Sequence, residues 1–308
     1  MTAGAVPATP GSYGEAPPAG GLPTALRLGP VVLEVTDLAR SVAFYERVLG
    51  LRVLARDEGP AGPRVSLGAL MTTEPLVVLR TGRAARPAGR GRLGLFHFAI
   101  LLPDRASLGR FVRHLAELGV PAGAGDHFVS EAFYLSDPDG LGIEVYADRP
   151  REAWQRIGRE LVMGTEAVEA RELVAAAGPM PWVGMPSGTV MGHVHLHVGD
   201  LPGADHFYHA ALGLDRMVWS YPGALFLGAG GYHHHLGTNV WAGPTARPAP
   251  ADEARLTEWT LVVPSAVDVA AAAERLARAG AVVERDEVAG DLVTRDPWGT
   301  ALRLRAAD

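Results

Sequence analysis

The sequence predicts an α+β fold assembled from four similar βαβββ units. Two observations support this prediction: the two halves of the chain resemble each other, and each half contains the same strand–helix pattern twice. The first matching pair is PVVLEVTDLARSVAFYERVLGL at 30–51 and HVHLHVGDLPGADHFYHAALGL at 193–214, offset by 163 residues. The second is GLFHFAILLPDRASLGRFVRHLAELGV at 94–120 and RLTEWTLVVPSAVDVAAAAERLARAGA at 255–281. Internal similarity of this kind is typical of repeated structural units.

The four units are expected at about 29–85, 92–147, 191–243 and 255–306. Each begins with a strand in which apolar residues alternate, as in VVLEV at 31–35. A helix of about 10–15 residues follows, and Asp37 and Asp200 stand where an N-cap residue is expected. Short strands then alternate with Gly or Asp-Pro turns, at 137–140 and 296–299. Every element of the βαβββ pattern therefore has a local signal.

The chain has 308 residues, which suggests roughly two domains of about 150 residues each. The predicted domains span 25–147 and 191–308, and a connector of mixed helical character joins them at 148–190. Residues 1–24 are rich in Pro, Gly and Ala and lack the basic and apolar regions of a signal peptide. Such a composition predicts a disordered tail.

Composition excludes several classes of function. The chain contains no Cys, so disulfides, thiolate metal ligands and cysteine nucleophiles are absent. The net charge of −6 offers no basic surface for nucleic acid. No apolar run reaches the ~18 residues of a membrane helix. We therefore expect a soluble, cytoplasmic protein with neither a nucleic-acid nor a membrane partner, and the sequence leaves homo-oligomer formation open.

The segments DLARSVAFYERVLGL and DLPGADHFYHAALGL resemble the signature of the vicinal oxygen chelate superfamily, which includes glyoxalases, bleomycin-resistance proteins and extradiol dioxygenases. The resemblance covers nearly all of 29–306. It implies two modules, each a cupped sheet made of two βαβββ units, with a divalent metal in the cup. Together with GYHHHLGTNVW at 231–241, the motifs look most like the two-domain catechol 2,3-dioxygenase branch.

The resemblance also implies where metal ligands stand, namely on the first and last strands of a unit. His97 and Glu144 occupy these positions in unit two, and His193 occupies the first-strand position in unit three. The matching positions in units one and four include Pro30 and Arg303, which cannot bind a cation, and Glu258. Pairing unit two with unit three yields two His and one carboxylate, the facial triad of non-haem Fe(II) enzymes. Fe(II) is therefore the expected cofactor, with Mn(II) as the alternative.

Further residues are expected around this metal. Tyr134 precedes Glu144 by ten residues, as a catalytic Tyr does in extradiol dioxygenases, and His234 of the HHH run matches their acid–base His. His127, His233 and His195 are expected to contact the substrate. Position along the chain alone does not decide which of the three consecutive His residues is catalytic. The run could instead be a surface tract that binds metal adventitiously.

The resulting hypothesis is an Fe(II)-dependent extradiol dioxygenase that cleaves a small catechol-type diol with O2. The first alternative is another metal-dependent enzyme of this superfamily, such as a glyoxalase-like isomerase or a lyase. Glyoxalase sites generally use four protein ligands with two Glu, whereas three ligands with one Glu are found here. The second alternative is a binding protein that sequesters an aromatic compound without a metal.

Overall fold

The computed structural model describes residues 4–59, 62–286 and 290–307. Residues 1–3 of the predicted tail and residue 308 lie outside these ranges. Two large curled sheets and a few helices form an α+β fold, as predicted. Within the described ranges, no helix has the length and apolarity needed to cross a membrane.

The first half of the chain contains a short N-terminal strand and two βαβββ units. The N-terminal strand is β1 (Val6–Pro7). Unit one consists of β2 (Arg27–Glu34), α1 (Leu38–Arg47), β3 (Arg52–Gly59), β4 (Gly62–Gly68) and β5 (Val77–Arg80). Unit two consists of β6 (Arg92–Leu101), α2 (Arg105–Leu118), β7 (Gly123–Asp126), β8 (Ser130–Ser136) and β9 (Gly142–Asp148).

The second half repeats the pattern after the connector. The connector contains a 3-10 helix (Arg151–Ala153), β10 (Gln155–Ile157), β11 (Glu160–Leu161) and α3 (Ala170–Ala176). Unit three consists of β12 (Val190–His197), α4 (Leu201–Ala204) continuing into a π-helix (Asp205–Leu212), β13 (Asp215–Val218), β14 (Ala224–Gly228) and β15 (Leu236–Asn239). After β16 (Arg247–Pro248), unit four consists of β17 (Arg255–Val263), α5 (Ala266–Arg278), β18 (Val283–Arg285), β19 (Leu292–Arg295) and β20 (Ala301–Ala306).

Each large sheet combines one unit from each of the two domains that the sequence predicts. One sheet has the order β13-β14-β15-β12-β6-β9-β8-β7, with β16 beside β6. The other has the order β18-β19-β20-β17-β2-β5-β4-β3. Units two and three therefore share one sheet and units one and four the other, so each sheet contains strands from both 25–147 and 191–308. Strand patterning identifies a buried face but not the partner strand, because β6, β12, β2 and β17 all carry similar apolar runs.

The N-terminal segment differs from the predicted disordered tail. From residue 4 onward it lies against the connector and unit three, where β1 pairs with β10 and Ala8 donates a backbone hydrogen bond to Trp154. Tyr13 and Leu22 are buried, and the Tyr13 hydroxyl donates to the carbonyl oxygen of Gly231 at 2.8 Å. The content of Pro, Gly and Ala predicted disorder. The segment is ordered because it binds partners that are distant along the chain, which local composition does not reveal.

The repeated Phe-Tyr and Asp-Pro motifs meet in the fold. The Tyr45 hydroxyl lies 3.3 Å from a carboxylate oxygen of Asp137, and the Tyr208 hydroxyl donates to Asp296 at 2.9 Å. The other oxygen of each Asp accepts two backbone N–H groups of its own turn. The Tyr of one unit thus anchors the turn of the next unit along the chain. Asp37 caps α1 as expected, since its side chain accepts a hydrogen bond from the backbone N–H of Arg40.

One of these turns makes stability depend on pH. Burial raises the pKa of Asp137 to about 6, although N–H groups of Leu141 and Asp139 favour its ionised form. The folded state then binds a proton more tightly than the unfolded state. The stability contributed by this group is complete below the unfolded pKa and is lost as pH rises through about 6. We expect the free energy of unfolding of Asp137→Asn, relative to wild type, to increase by up to about 3 kcal/mol between pH 4 and pH 7.

Urea denaturation of both proteins at several pH values measures this difference. Asp200→Asn is a matched control, since Asp200 caps a helix through a hydrogen bond from Gly203 and Asn caps equally well. If the difference in free energy of unfolding between Asp137→Asn and wild type stays constant over this pH range, the prediction is wrong.

Candidate metal centre

Strand register brings three potential metal ligands together at the middle of the sheet formed by units two and three. In the pairing of β12, β6 and β9, His193 and Glu144 both lie opposite Ala99. His97 precedes Ala99 by two residues on β6, so it faces the same side of the sheet. The small, fully buried Ala99 leaves the space between them to the three longer side chains.

The three side chains converge within the protein interior. His97, Glu144 and His193 are 5%, 2% and 2% exposed, and one potential ligand atom of each lies within 4.8 Å of the others. The same oxygen of Glu144 lies 2.9 Å from His97 Nε2 and 3.1 Å from His193 Nε2. Among the described residues, no other three His, Asp, Glu or Cys side chains bring their potential ligand atoms as close together.

The surroundings favour the protonation states that bind a cation. Burial alone would raise the pKa of Glu144, but His193 and then His97 hold that pKa well below its usual value. Burial lowers the pKa of His193 to about 4, against the opposing attraction of Glu144. A carboxylate and a neutral imidazole at neutral pH are the ligand forms that divalent metals require.

A cavity of about 230 Å³ opens beside the three residues. It is lined by eight polar or histidine side chains and by six large apolar or aromatic side chains, with Gly164 completing the wall. The lining residues are Phe96, His97, His127, Ser130, Tyr134, Glu144, Met163, Gly164, Thr165, His193, His195, Tyr221, Phe226, His234 and Trp241. Seven of the eight side chains predicted for the site therefore meet at one cavity.

Tyr134 and His127 form one side of this cavity. His127 Nδ1 lies 2.7 Å from the carbonyl oxygen of Gly164, so the Nδ1–H donates to it. In the neutral ring Nε2 is then an acceptor, and the Tyr134 hydroxyl donates to it at 2.6 Å. Burial, reinforced by the charge of Glu144, raises the pKa of Tyr134 well above its usual value. Tyr134 is therefore a neutral phenol whose oxygen can accept a further hydrogen bond.

The structure separates the three consecutive histidines. His234 lines the cavity, with its ring centroid 4.0 Å from that of His193. His233 is fully buried behind His234 and does not line the cavity, although we expected it to contact substrate. The third, His235, accepts a hydrogen bond from the backbone of Ala229. The Gly231 carbonyl held by Tyr13 belongs to the loop that carries this run, so the N-terminal segment supports the cavity wall.

His195 occupies the cavity through a chain of fixed hydrogen bonds. The backbone N–H of Trp241 donates to Asn239 Oδ1 at 3.0 Å, which orients the amide. Asn239 Nδ2 then donates to His195 Nε2 at 2.9 Å, so the neutral ring carries its proton on Nδ1. The ring packs on Gly237, where a Cβ would lie 2.8 Å from His195 Cγ. This position requires glycine for steric reasons.

Several cavity residues were not predicted. Thr165 and Tyr221 come from the connector and from the loop before β14, and their hydroxyls lie 3.2 Å apart. No family motif marked either residue. Trp241 also lines the cavity, whereas Trp182 packs against Phe111 of α2.

The matching positions in the other sheet hold an ion pair. Arg303 lies where Glu144 lies in unit two, and it donates to the two carboxylate oxygens of Glu258 at 2.7 and 3.1 Å. Its Nη1 also lies 3.1 Å from carboxylate oxygens of Asp286 and Asp291. A guanidinium therefore supplies the positive charge in this cup.

Comparison with known proteins agrees with the fold and with the repeats. The family model described as the Glyoxalase/Bleomycin resistance protein/Dioxygenase superfamily matches residues 27–145 and 190–304. A protein of Bacillus subtilis (strain 168) named catechol-2,3-dioxygenase is 44% identical over 269 residues, which cover 84% of this chain and 90% of that protein.

Solved structures show the same fold at low sequence identity. A putative dioxygenase from Bacillus subtilis subsp. subtilis str. 168 superposes with a TM-score of 0.67 and 15% identity, covering 94% of this chain and 86% of that one. Glyoxalase I from Zea mays superposes with a TM-score of 0.56 and 18% identity, covering 91% and 92%. The family match over both halves and the 44% identical relative show that the chain belongs to the glyoxalase/bleomycin resistance protein/dioxygenase superfamily, as its motifs predicted.

Proposed function

We propose that this protein is an extradiol dioxygenase that uses O2 and divalent iron to open the ring of a small catechol-type diol. The observation that carries the proposal is the buried cluster of His97, Glu144 and His193 at the wall of an aromatic-lined cavity. The 44% identical relative named catechol-2,3-dioxygenase supports the same reaction class. Glyoxalase-like chemistry is less well supported, because the cluster contains one carboxylate rather than two.

The donor atoms of the three side chains fit a metal ion, and His97 in particular lacks another partner within the described part of the chain. His97 Nε2 is buried and lacks a hydrogen-bond partner of acceptable geometry among the described residues, although it lies 2.9 Å from Glu144. Two donor atoms that bind one divalent metal ion at ~2.0–2.2 Å are about 3.0–3.5 Å apart. The separations of 2.9 and 3.1 Å from the Glu144 oxygen are close to this spacing.

His97, His193 and Glu144 would hold the iron, as in the 2-His-1-carboxylate sites of Fe(II) oxygenases. Bound Fe(II) would supply a redox-active centre with open positions for both diol oxygens and O2. Mn(II) accepts the same ligands and is the alternative. The protein's own groups then have to orient the diol, exclude water and move its protons.

His234 and Tyr134 are placed to handle these protons. Burial lowers the pKa of His234 well below its usual value, so the resting ring is neutral, which is the form that a general base must have. The Tyr134 oxygen can accept a hydrogen bond from the second diol hydroxyl while its own O–H donates a hydrogen bond to His127. His195 also lines the cavity, with its Nε2 held by Asn239 and its proton therefore on Nδ1.

The shape of the cavity suits one aromatic ring. Phe226 and Trp241 flank His195, with ring centroids 5.6 Å from it in both cases. Met163 and Thr165 of the connector close the cavity on another side. These aromatic and apolar side chains limit the access of bulk water to the ring, which strengthens the hydrogen bonds inside the cavity.

The test is to purify the protein under anaerobic conditions, quantify its bound metal and add catechol with O2. We expect about one iron per chain, consumption of one O2 per catechol and a yellow ring-fission product. Iron binding without turnover of any catechol tested would leave the metal site standing and reject the substrate class. A chain that binds neither iron nor manganese would reject the metal site itself.

A further inference from the structure

We propose that Asp148 and His233 are positioning residues that hold His234 in one tautomer, with its proton on Nδ1 and its Nε2 free to act as the catalytic base. The proposal rests on the proposed function for the role of His234. It assigns a role to the buried His233, which does not reach the cavity, and to Asp148, which no sequence motif marked. Both residues act through His234, since neither lines the cavity.

The first step runs from Asp148 to His233. His233 Nε2 lies 2.9 Å from Asp148 Oδ1. A carboxylate only accepts hydrogen bonds, so Nε2 must carry a proton and donate it. In neutral His233 the other nitrogen, Nδ1, is then unprotonated and can only accept. The carboxylate therefore fixes the tautomer of His233.

The second step runs from His233 to His234. Their Nδ1 atoms are 2.7 Å apart, a hydrogen-bond distance that requires one donor and one acceptor. Because His233 Nδ1 is the acceptor, the proton of this bond belongs to His234. Neutral His234 is then protonated on Nδ1, and its Nε2 retains the lone pair. The hydrogen bond to the carboxylate therefore determines which nitrogen carries the proton in each of the two neutral rings.

The surroundings hold the chain of hydrogen bonds in place. Tyr232 OH lies 3.4 Å from the same Asp148 oxygen, and the Tyr146 hydroxyl lies 2.6 Å from that of Tyr232. The His233 ring packs between Tyr232 and Trp154, at centroid distances of 4.1 and 5.4 Å. Tyr146 itself fits only because residue 192 is glycine, where a Cβ would lie 1.9 Å from its hydroxyl.

The arrangement has a direct consequence for proton transfer. When His234 Nε2 accepts a proton from a diol hydroxyl, the ring becomes a cation whose Nδ1–H still donates to His233. The negative charge of Asp148 then faces this cation through one neutral ring, which stabilises it. Returning the proton from Nε2 to the opened product restores the starting state. In this relay only the proton on Nε2 moves, and the ring opening between the two transfers consumes the O2 of the proposed reaction.

The tautomer can be measured without activity. We expect ¹⁵N NMR of the metal-free protein, labelled at histidine, to show His234 protonated on Nδ1 and unprotonated on Nε2. In His233→Phe this preference should be lost. A wild-type spectrum in which His234 carries its proton on Nε2 would overturn the proposal, because His233 would then be the donor of the bond.

Kinetics separate positioning from packing. With catechol and iron-loaded protein, we expect His233→Phe to lower kcat about 10–100-fold while the KM for catechol and the iron content stay close to wild type. His233→Asn, whose amide oxygen can replace Nδ1 as acceptor, should recover a large part of kcat. His235→Phe, the same change at a neighbouring buried histidine outside the cavity, is the matched control for effects on folding.

The outcomes are distinct. Equal losses of kcat and of thermal stability in His233→Phe and His235→Phe, with no recovery in His233→Asn, would reduce His233 to a packing residue and overturn the proposal. If wild-type protein does not turn over catechol but shows the expected His234 tautomer, the proposed function fails and the positioning chain stands.

Discussion

Replacing Glu144 with Gln is expected to abolish metal retention. Gln keeps the shape of the side chain but removes the one negative charge in the cluster, leaving His97 and His193 to hold a divalent cation without charge compensation. Since the loss of partners outside the ligand set lowers metal affinity about 10–100-fold, loss of a ligand should lower it more than about 100-fold. Iron content per chain after gel filtration, followed by titration with Fe(II) under anaerobic conditions, measures the change.

Glu258→Gln is the control for this experiment. Glu258 is also a carboxylate on a strand, at the first-strand position of unit four, but it pairs with Arg303 in the other cup. We expect this variant to retain iron as wild type does. If Glu144→Gln binds iron with wild-type affinity, the assignment of the metal centre is wrong.

Replacing His234 with Gln is expected to leave the iron in place and to slow turnover. His234 lines the cavity beside His193 but does not belong to the ligand cluster. A Gln amide cannot accept a proton and return it, so the contribution of general base catalysis is lost. That contribution is typically about 10²–10⁴-fold in kcat. Steady-state O2 consumption with catechol, together with the iron content, measures both parts of the prediction.

His206→Gln is the matched control, because His206 is an exposed histidine on the π-helix, away from the cavity. It should leave both kcat and iron content unchanged. A His234→Gln variant with kcat within about threefold of wild type would show that another group accepts the proton, since even modest general bases contribute more than this.

Local patterns were sufficient for the elements of the fold. Alternating strands, the Asp N-caps and the Asp-Pro turns are short-range signals, and the four βαβββ units appear where these signals placed them. The repeats explain why, since the same local rule acts four times. The segment after residue 3 was beyond this kind of reasoning, because its order depends on β10, Gly213 and Gly231 far along the chain.

The candidate site divides in the same way. The family resemblance supplied His97, Glu144, His193, Tyr134 and His234, since each stands at a recognisable place in a unit. It placed His233 on the substrate, whereas the ring lies behind His234. Residue order on a turn does not determine side-chain direction, so three adjacent histidines could not be told apart. Thr165 and Tyr221 carried no signal, because the loops that bring them to the cavity have no repeating pattern.

The sequence by itself determined the elements of each unit and the type of fold, because these follow from short-range periodicity and turn chemistry, and the family resemblance of its motifs pointed to the residues that could hold a metal. Only the tertiary structure decided the register that places His193 opposite Ala99, that Asp148 reaches His233 and that Tyr13 of the N-terminal segment binds the histidine loop at Gly231. These are choices among chemically equivalent partners. They depend on the combined packing of both sheets, where long-range contacts outweigh local preference.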